Sequence, residues 1–120
     1  MKYRYADEET IIRKIQSAGK TFLAVRFEDL LLKAKQLDDS RLLKSIIIEY
    51  YKNQIGTIDR AISGTTTRVN CAKYIIEANK VRFALEEIIN AEKVDKKYRD
   101  KAYMTLKKID NGEITLPTLS

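Results

Sequence analysis

Histidine and tryptophan are absent from this 120-residue chain, cysteine and proline occur once each, and glycine occurs four times. Each scarcity excludes something. Without histidine there is no Ser-His or Cys-His nucleophile pair, no ordinary general base titrating near neutrality, and no imidazole ligand for zinc or iron. A lone Cys71 permits no disulfide within the chain, which rules out a disulfide-stapled secreted domain. Lying within a helical pattern and with no histidine to activate it, Cys71 reads as a small buried apolar residue. The single proline, Pro117, and the four isolated glycines give too little turn punctuation for a β-rich fold of this size. The same glycine spacing contains no phosphate-binding loop and no dinucleotide fingerprint. The longest aliphatic runs, Leu30 to Leu32 and Ile46 to Ile48, fall far short of the roughly 18 residues of a membrane span. The start, Met1 to Tyr5 followed by Asp7, Glu8 and Glu9, has no apolar signal region. These features lead us to expect a cytoplasmic protein with no membrane association.

What is present is a folding composition: 44% of residues are hydrophobic and 33% charged, a balance that supports a core and a solvated surface. The expectation is a single helical domain over 1–120, an all-α compact antiparallel bundle of four to five helices with a short extended C-terminal tail. Asp7 with Glu8 and Glu9 marks a helix start, and Ile11, Ile12, Ile15 and Ala18 form a stripe that ends at a Gly19 C-cap, giving a helix over 7–18. Leu23, Phe27, Leu30, Leu31, Ala34 and Leu37 predict a second helix over 22–37, although Thr21 to Val25 also has the β-branched and aromatic character of a short strand. Asp38, Asp39 and Ser40 open a third helix over 40–63. Within it Leu43, Ile47, Tyr50, Gln54 and Ile58 alternate like a coiled-coil seam, and Gly56 marks a close crossing or a small kink.

Gly64-Thr65-Thr66-Thr67-Arg68 reads as a hinge between this helix and a fourth over 67–92, carrying Tyr74, Ala78, Val81, Leu85 and Ile88. Its hydroxyls and Arg68 are the residues of an anion site at a helix N-terminus, yet capping accounts for all of them except Arg68. A fifth helix follows over 95–110, begun by Asp95 and ended by Asn111-Gly112, and the tail 113–120 alternates Ile114 and Leu116 in an extended segment.

No catalytic, metal or cofactor site emerges. The acidic groups Glu86-Glu87 with Glu92, and Asp38-Asp39, come without a supporting motif. Tyr50-Tyr51 lacks the basic set that a tyrosine nucleophile needs, and both residues suit a core edge. Neither glycine turn fits a helix-turn-helix, because Ile15 and Glu28 are wrong in size and charge around Gly19, as are Asp59, Arg60 and Lys73 around Gly64.

The formal charge is +6. Lys96, Lys97, Arg99, Lys101, Lys107 and Lys108 concentrate on the last helix with Tyr98 and Tyr103 among them, and bases interleaved with aromatics can hold phosphates and stack on nucleobases. Arg68, Lys73, Lys80 and Arg82 extend that set if helices four and five lie side by side. The first functional expectation is therefore a small non-enzymatic DNA- or RNA-binding or regulatory protein, of the kind carried by phages and mobile elements. The alternative is a protein–protein interaction module (an inhibitor, immunity or assembly factor) that acts through the tail or an apolar helix face and binds no nucleic acid. The broad stripe of the third helix suits a homodimer. No small-molecule substrate is evident.

Overall fold

The helical punctuation is obeyed at some places and overruled at others. The computed structural model describes residues 6–117 and contains six α-helices and one 3-10 turn, with no strand among the described residues. The helices are α1 Glu8–Ala18, α2 Lys20–Leu32, α3 Ser40–Lys52, α4 Ile62–Glu77, α5 Val81–Ile89 and α6 Lys96–Asp110. The all-α expectation therefore holds, with more helices than the four to five anticipated.

The first helix forms as its signals require. Asp7 Oδ1 accepts from the Thr10 amide at 2.8 Å, satisfying a first-turn donor. Gly19, at φ 89°, ends it, and its amide donates to Ile15 at 2.8 Å. Residues 21–25 are helical, not a strand. The helix expected over 22–37 stops at Leu32 and tightens into a 3-10 turn, Ala34–Asp38, which tucks Leu37 into the core. Asp39 then caps α3 by accepting from the Arg41 and Leu42 amides at 2.9 and 3.1 Å.

The two long helices of the sequence reading are each broken. The one expected over 40–63 ends at Lys52, and residues 53–61 form a loop with Gly56 at φ 75°. The seam of Leu43, Ile47 and Tyr50 accordingly runs out before Gln54 and Ile58, which lie in the loop. The hinge expected at Gly64–Arg68 lies inside α4. There Thr66 and Thr67 donate to the carbonyls one turn back, Ile62 at 2.9 Å and Ser63 at 3.1 Å, so their hydroxyls serve the helix interior and not a cap. The helix expected over 67–92 is divided at Ala78–Lys80, where Asn79 adopts φ 58°, into α4 and α5. The Asn79 amide donates to Ile76 and the Lys80 amide to Ile75, a closing pattern that turns the chain.

One hydrophobic cluster joins all six helices. Ile11, Leu23, Phe27, Leu30, Ile75, Leu85 and Ile88 are fully buried in it. The main neighbour of α4 is α1, with α3 also against it, while α6 packs on α5 and α2. The extents of 36 × 30 × 28 Å are those of a rounded stack, not a long hairpin. Ile114 is buried, so the tail is anchored to the core at its start; residues 118–120 of the expected tail lie outside the described residues.

Candidate interaction site

The loop over 53–61 is the most heavily constrained irregular segment described, and it is built from its own polar side chains. At its entry the Asn53 amide and side-chain amide both donate to Glu49 at 3.0 Å, closing α3. Arg26 of α2 donates to the Asn53 carbonyl at 2.5 Å, while its guanidinium lies 4.1 Å over the Tyr50 ring. Gln54 then folds across the loop. Its Nε2 donates to the Asp59 carbonyl at 3.0 Å, and its Oε1 accepts from the Asp59 amide. One side-chain amide thus replaces the ladder partner that residue 59 lacks. The Tyr51 hydroxyl donates to the Arg60 carbonyl at 3.0 Å and fixes the exit.

Asp59 ties this loop to two other elements. Its carboxylate accepts from the Thr65 hydroxyl at 2.9 Å and from Arg68 Nε at 3.1 and 3.2 Å. The other end of the Arg68 guanidinium donates to the Ala18 carbonyl at 2.7 Å, satisfying an orphan acceptor at the end of α1. Two glycines make room for this pair. A Cβ on Gly64 would lie 2.8 Å from Asp59 Oδ1, and one on Gly19 would lie 2.7 Å from an Arg68 terminal nitrogen. A Cβ on Gly56 would lie 2.6 Å from the Tyr98 hydroxyl and 2.8 Å from Thr21 Cγ2, so α6 and α2 press directly on the loop backbone. A small cavity of about 10 Å³ lies among Phe22, Arg26, Tyr50, Gln54, Thr65 and the partly exposed Ile55.

The same segment turns isoleucine outward. Ile58 is 85% exposed, Ile55 51% and Ile62, at the first position of α4, 42%. A loop free to move would fold such side chains inward. This one cannot, because Gln54, Asp59 and Gly56 hold the backbone from below. Along the chain between residues 50 and 76 the bases are Lys52, Arg60, Arg68 and Lys73, and the one acid, Asp59, pairs with Arg68.

The bases nominated from the sequence are scattered by the fold. Lys101 and Lys108 both donate to Glu28 of α2, at 2.7 and 3.0 Å, and together they hold its carboxyl below the ordinary carboxylate range. Arg82 pairs with Asp110, Lys96 with Asp100 at 2.8 Å, and Arg68 with Asp59. Arg99 has its Nε buried. Lys97 and Lys107 are exposed, with their ammonium groups 5.0 and 5.6 Å over the Tyr98 and Tyr103 rings. Lys80 sits at the start of α5, and Lys73 lines a shallow cleft of about 430 Å³ between α1 and α4 with Lys14, Asn70 and Cys71. α4 packs chiefly on α1 and α3, while α6 packs on α5 and α2, so the helices that carry Arg68 and Lys73 and the last helix are not principal packing partners.

Sequence reading missed Ile55, Ile58 and Asp59. The available signal was the close spacing of Asn53, Gly56 and Asp59, three loop-favouring residues inside what periodicity alone extends as a helix. No family model, no curated protein and no solved structure matches this chain. Among the described residues no group of acidic or cysteine side chains is placed to share a metal ion, and no helix is long and apolar enough to cross a membrane.

Proposed function

We propose that this protein is a non-enzymatic protein–protein interaction module whose contact element is the loop 53–61 with the start of α4. The observation that carries this reading is the outward display of Ile55, Ile58 and Ile62 on a backbone locked by Gln54, Asp59 and Arg68. Holding a large aliphatic group in water has a cost. Covering roughly 300 Å² of such surface is worth about 7.5 kcal/mol at ~25 cal/mol/Å². A preformed loop also avoids most of the ordering cost that binding otherwise carries. The sum is comparable to the entropy lost on association. The isoleucines are therefore read as the central anchor of a wider contact, which on average covers about 800 Å² per partner.

This reading is preferred to nucleic-acid binding because Lys96, Lys101, Lys108, Arg68 and Arg82 already face carboxylates of the same chain. A base so paired releases fewer counterions on meeting a phosphate. The test is affinity capture from source cells with wild type and with Ile58→Asp, beside a gel shift against random DNA and RNA at two salt concentrations. Wild type should retain a protein partner at near-stoichiometric amount, Ile58→Asp should lose it, and the two should melt at the same temperature. A gel shift that persists at physiological salt and disappears in a Lys97→Glu/Lys107→Glu variant would replace this reading with nucleic-acid binding.

A further inference from the structure

The partner's chemistry can be narrowed from the surroundings of the isoleucines, on the reading that this loop is the contact element. Ile55 and Ile58 lie between two exposed bases, Lys52 at the end of α3 and Arg60 at the loop exit. The one acid in the stretch is withdrawn. Asp59 keeps only 11% of its side chain exposed and is bound on both carboxylate oxygens by Thr65 and Arg68. The exposed isoleucines of the loop are thus flanked along the chain by exposed bases, while the loop's own acid is turned inward to hold the backbone. Flanking charge of one sign selects its opposite: it speeds encounter with a negative surface and repels a positive one.

We infer that the loop docks into an apolar pocket bordered by Asp and Glu side chains on a protein partner. A protein pocket is favoured over an anionic bilayer by the rigidity of the loop. Gln54, Asp59, Tyr51 and Arg26 each fix one of its backbone groups or the helix it leads into. A fluid surface takes side chains in any arrangement, whereas a pocket rewards one fixed arrangement.

The experiment presents the full chain to a displayed library of amphipathic helical peptides. Their apolar face is fixed as Leu and Phe, and their flanking positions are randomised between Glu and Lys. Wild type should enrich Glu-flanked peptides. Lys52→Glu/Arg60→Glu should weaken the best of them about tenfold and shift enrichment toward Lys. Ile58→Asp should enrich none while keeping the wild-type helical circular dichroism. Wild-type enrichment with no charge preference, or with a Lys preference, overturns the acidic pocket and leaves the loop as contact element. Enrichment untouched by Ile58→Asp, or no enrichment by wild type, overturns both. Sedimentation of wild type, but not Ile58→Asp, with vesicles of equal phosphatidylcholine and phosphatidylserine overturns the protein pocket in favour of a membrane surface.

Discussion

Replacing glycine by alanine inside a helix ordinarily stabilises a protein, and at Gly64 the sign should reverse. Alanine restricts the unfolded chain and suits a helix by about 0.5–1 kcal/mol, toward the lower end in a first turn. At Gly64 the added methyl would lie 2.8 Å from Asp59 Oδ1 and 3.0 Å from its Cγ, inside any tolerable contact. The carboxylate must swing away, and it then releases the Thr65 hydroxyl and Arg68 Nε, whose side chain is 23% exposed. Hydrogen bonds to a charged group contribute about 1.5–3 kcal/mol. The expected net effect of Gly64→Ala is therefore a loss of about 1–2 kcal/mol, roughly 4–8 °C in melting temperature for a chain of this size. Urea denaturation of four proteins tests the cause. In an Asp59→Ala background the obstruction is gone, and Gly64→Ala should recover its ordinary gain of about 0.5 kcal/mol, giving a coupling near 2 kcal/mol. If Gly64→Ala stabilises the wild type, or costs as much without Asp59 as with it, the carboxylate is not what requires glycine there.

Ile58→Asp should change stability by less than about 0.5 kcal/mol, since the side chain touches little, and unfolding curves that shift further would show it to be structural. Lys101 and Lys108 lower the pKa of Glu28 below its ordinary 4.5 through hydrogen bonds and charge, so its contribution is complete above that value and disappears as pH falls through the lowered one. The stability gap between wild type and Glu28→Gln should thus be about 1 kcal/mol or less at neutral pH and close on acidification; a gap that widens in acid refutes the assignment. Burial raises the Cys71 thiol above its ordinary 9.0, so a thiol reagent should label the native protein more slowly than the unfolded chain, and labelling at equal rates would refute the burial of the sulfur.

The sequence was legible where one local signal had no competitor. Asp7 with its acidic first turn, Gly19, Asp39 and the Asn111-Gly112 pair all act as short-range chemistry dictates. Asp95 takes the N-cap position of α6, but its carboxylate accepts no cap hydrogen bond. The reading failed where periodicity ran across a break whose cause is tertiary. Ile58 continues the spacing of Ile47 and Tyr50, yet α3 ends because Gln54 bonds residue 59 and Gly56 is pressed by Tyr98, forty residues away in the chain. Gly64 looked like a stop signal because glycine usually is one. Here it is a small residue beneath a carboxylate, and a single sequence cannot distinguish the two. The basic residues were visible as charge, but their partners Glu28, Asp59 and Asp110 come from other elements of the fold, so which charges remain for a ligand is decided only on folding.

The pairing of α1 with α4, and of α2 with α6, sets an order for the nascent chain. The apolar faces of the first two helices are finished early but must wait for partners made much later. For α1 the wait is about 60 residues, or several seconds at ~5–20 residues per second. During that interval Ile11, Ile15, Leu23 and Phe27 have no permanent cover. The guanidinium of Arg68, arriving with α4, joins the end of α1 to Asp59 of the loop 53–61. A chain ending before α4 therefore lacks the Thr65 and Arg68 contacts that hold Asp59 and the loop 53–61 in place.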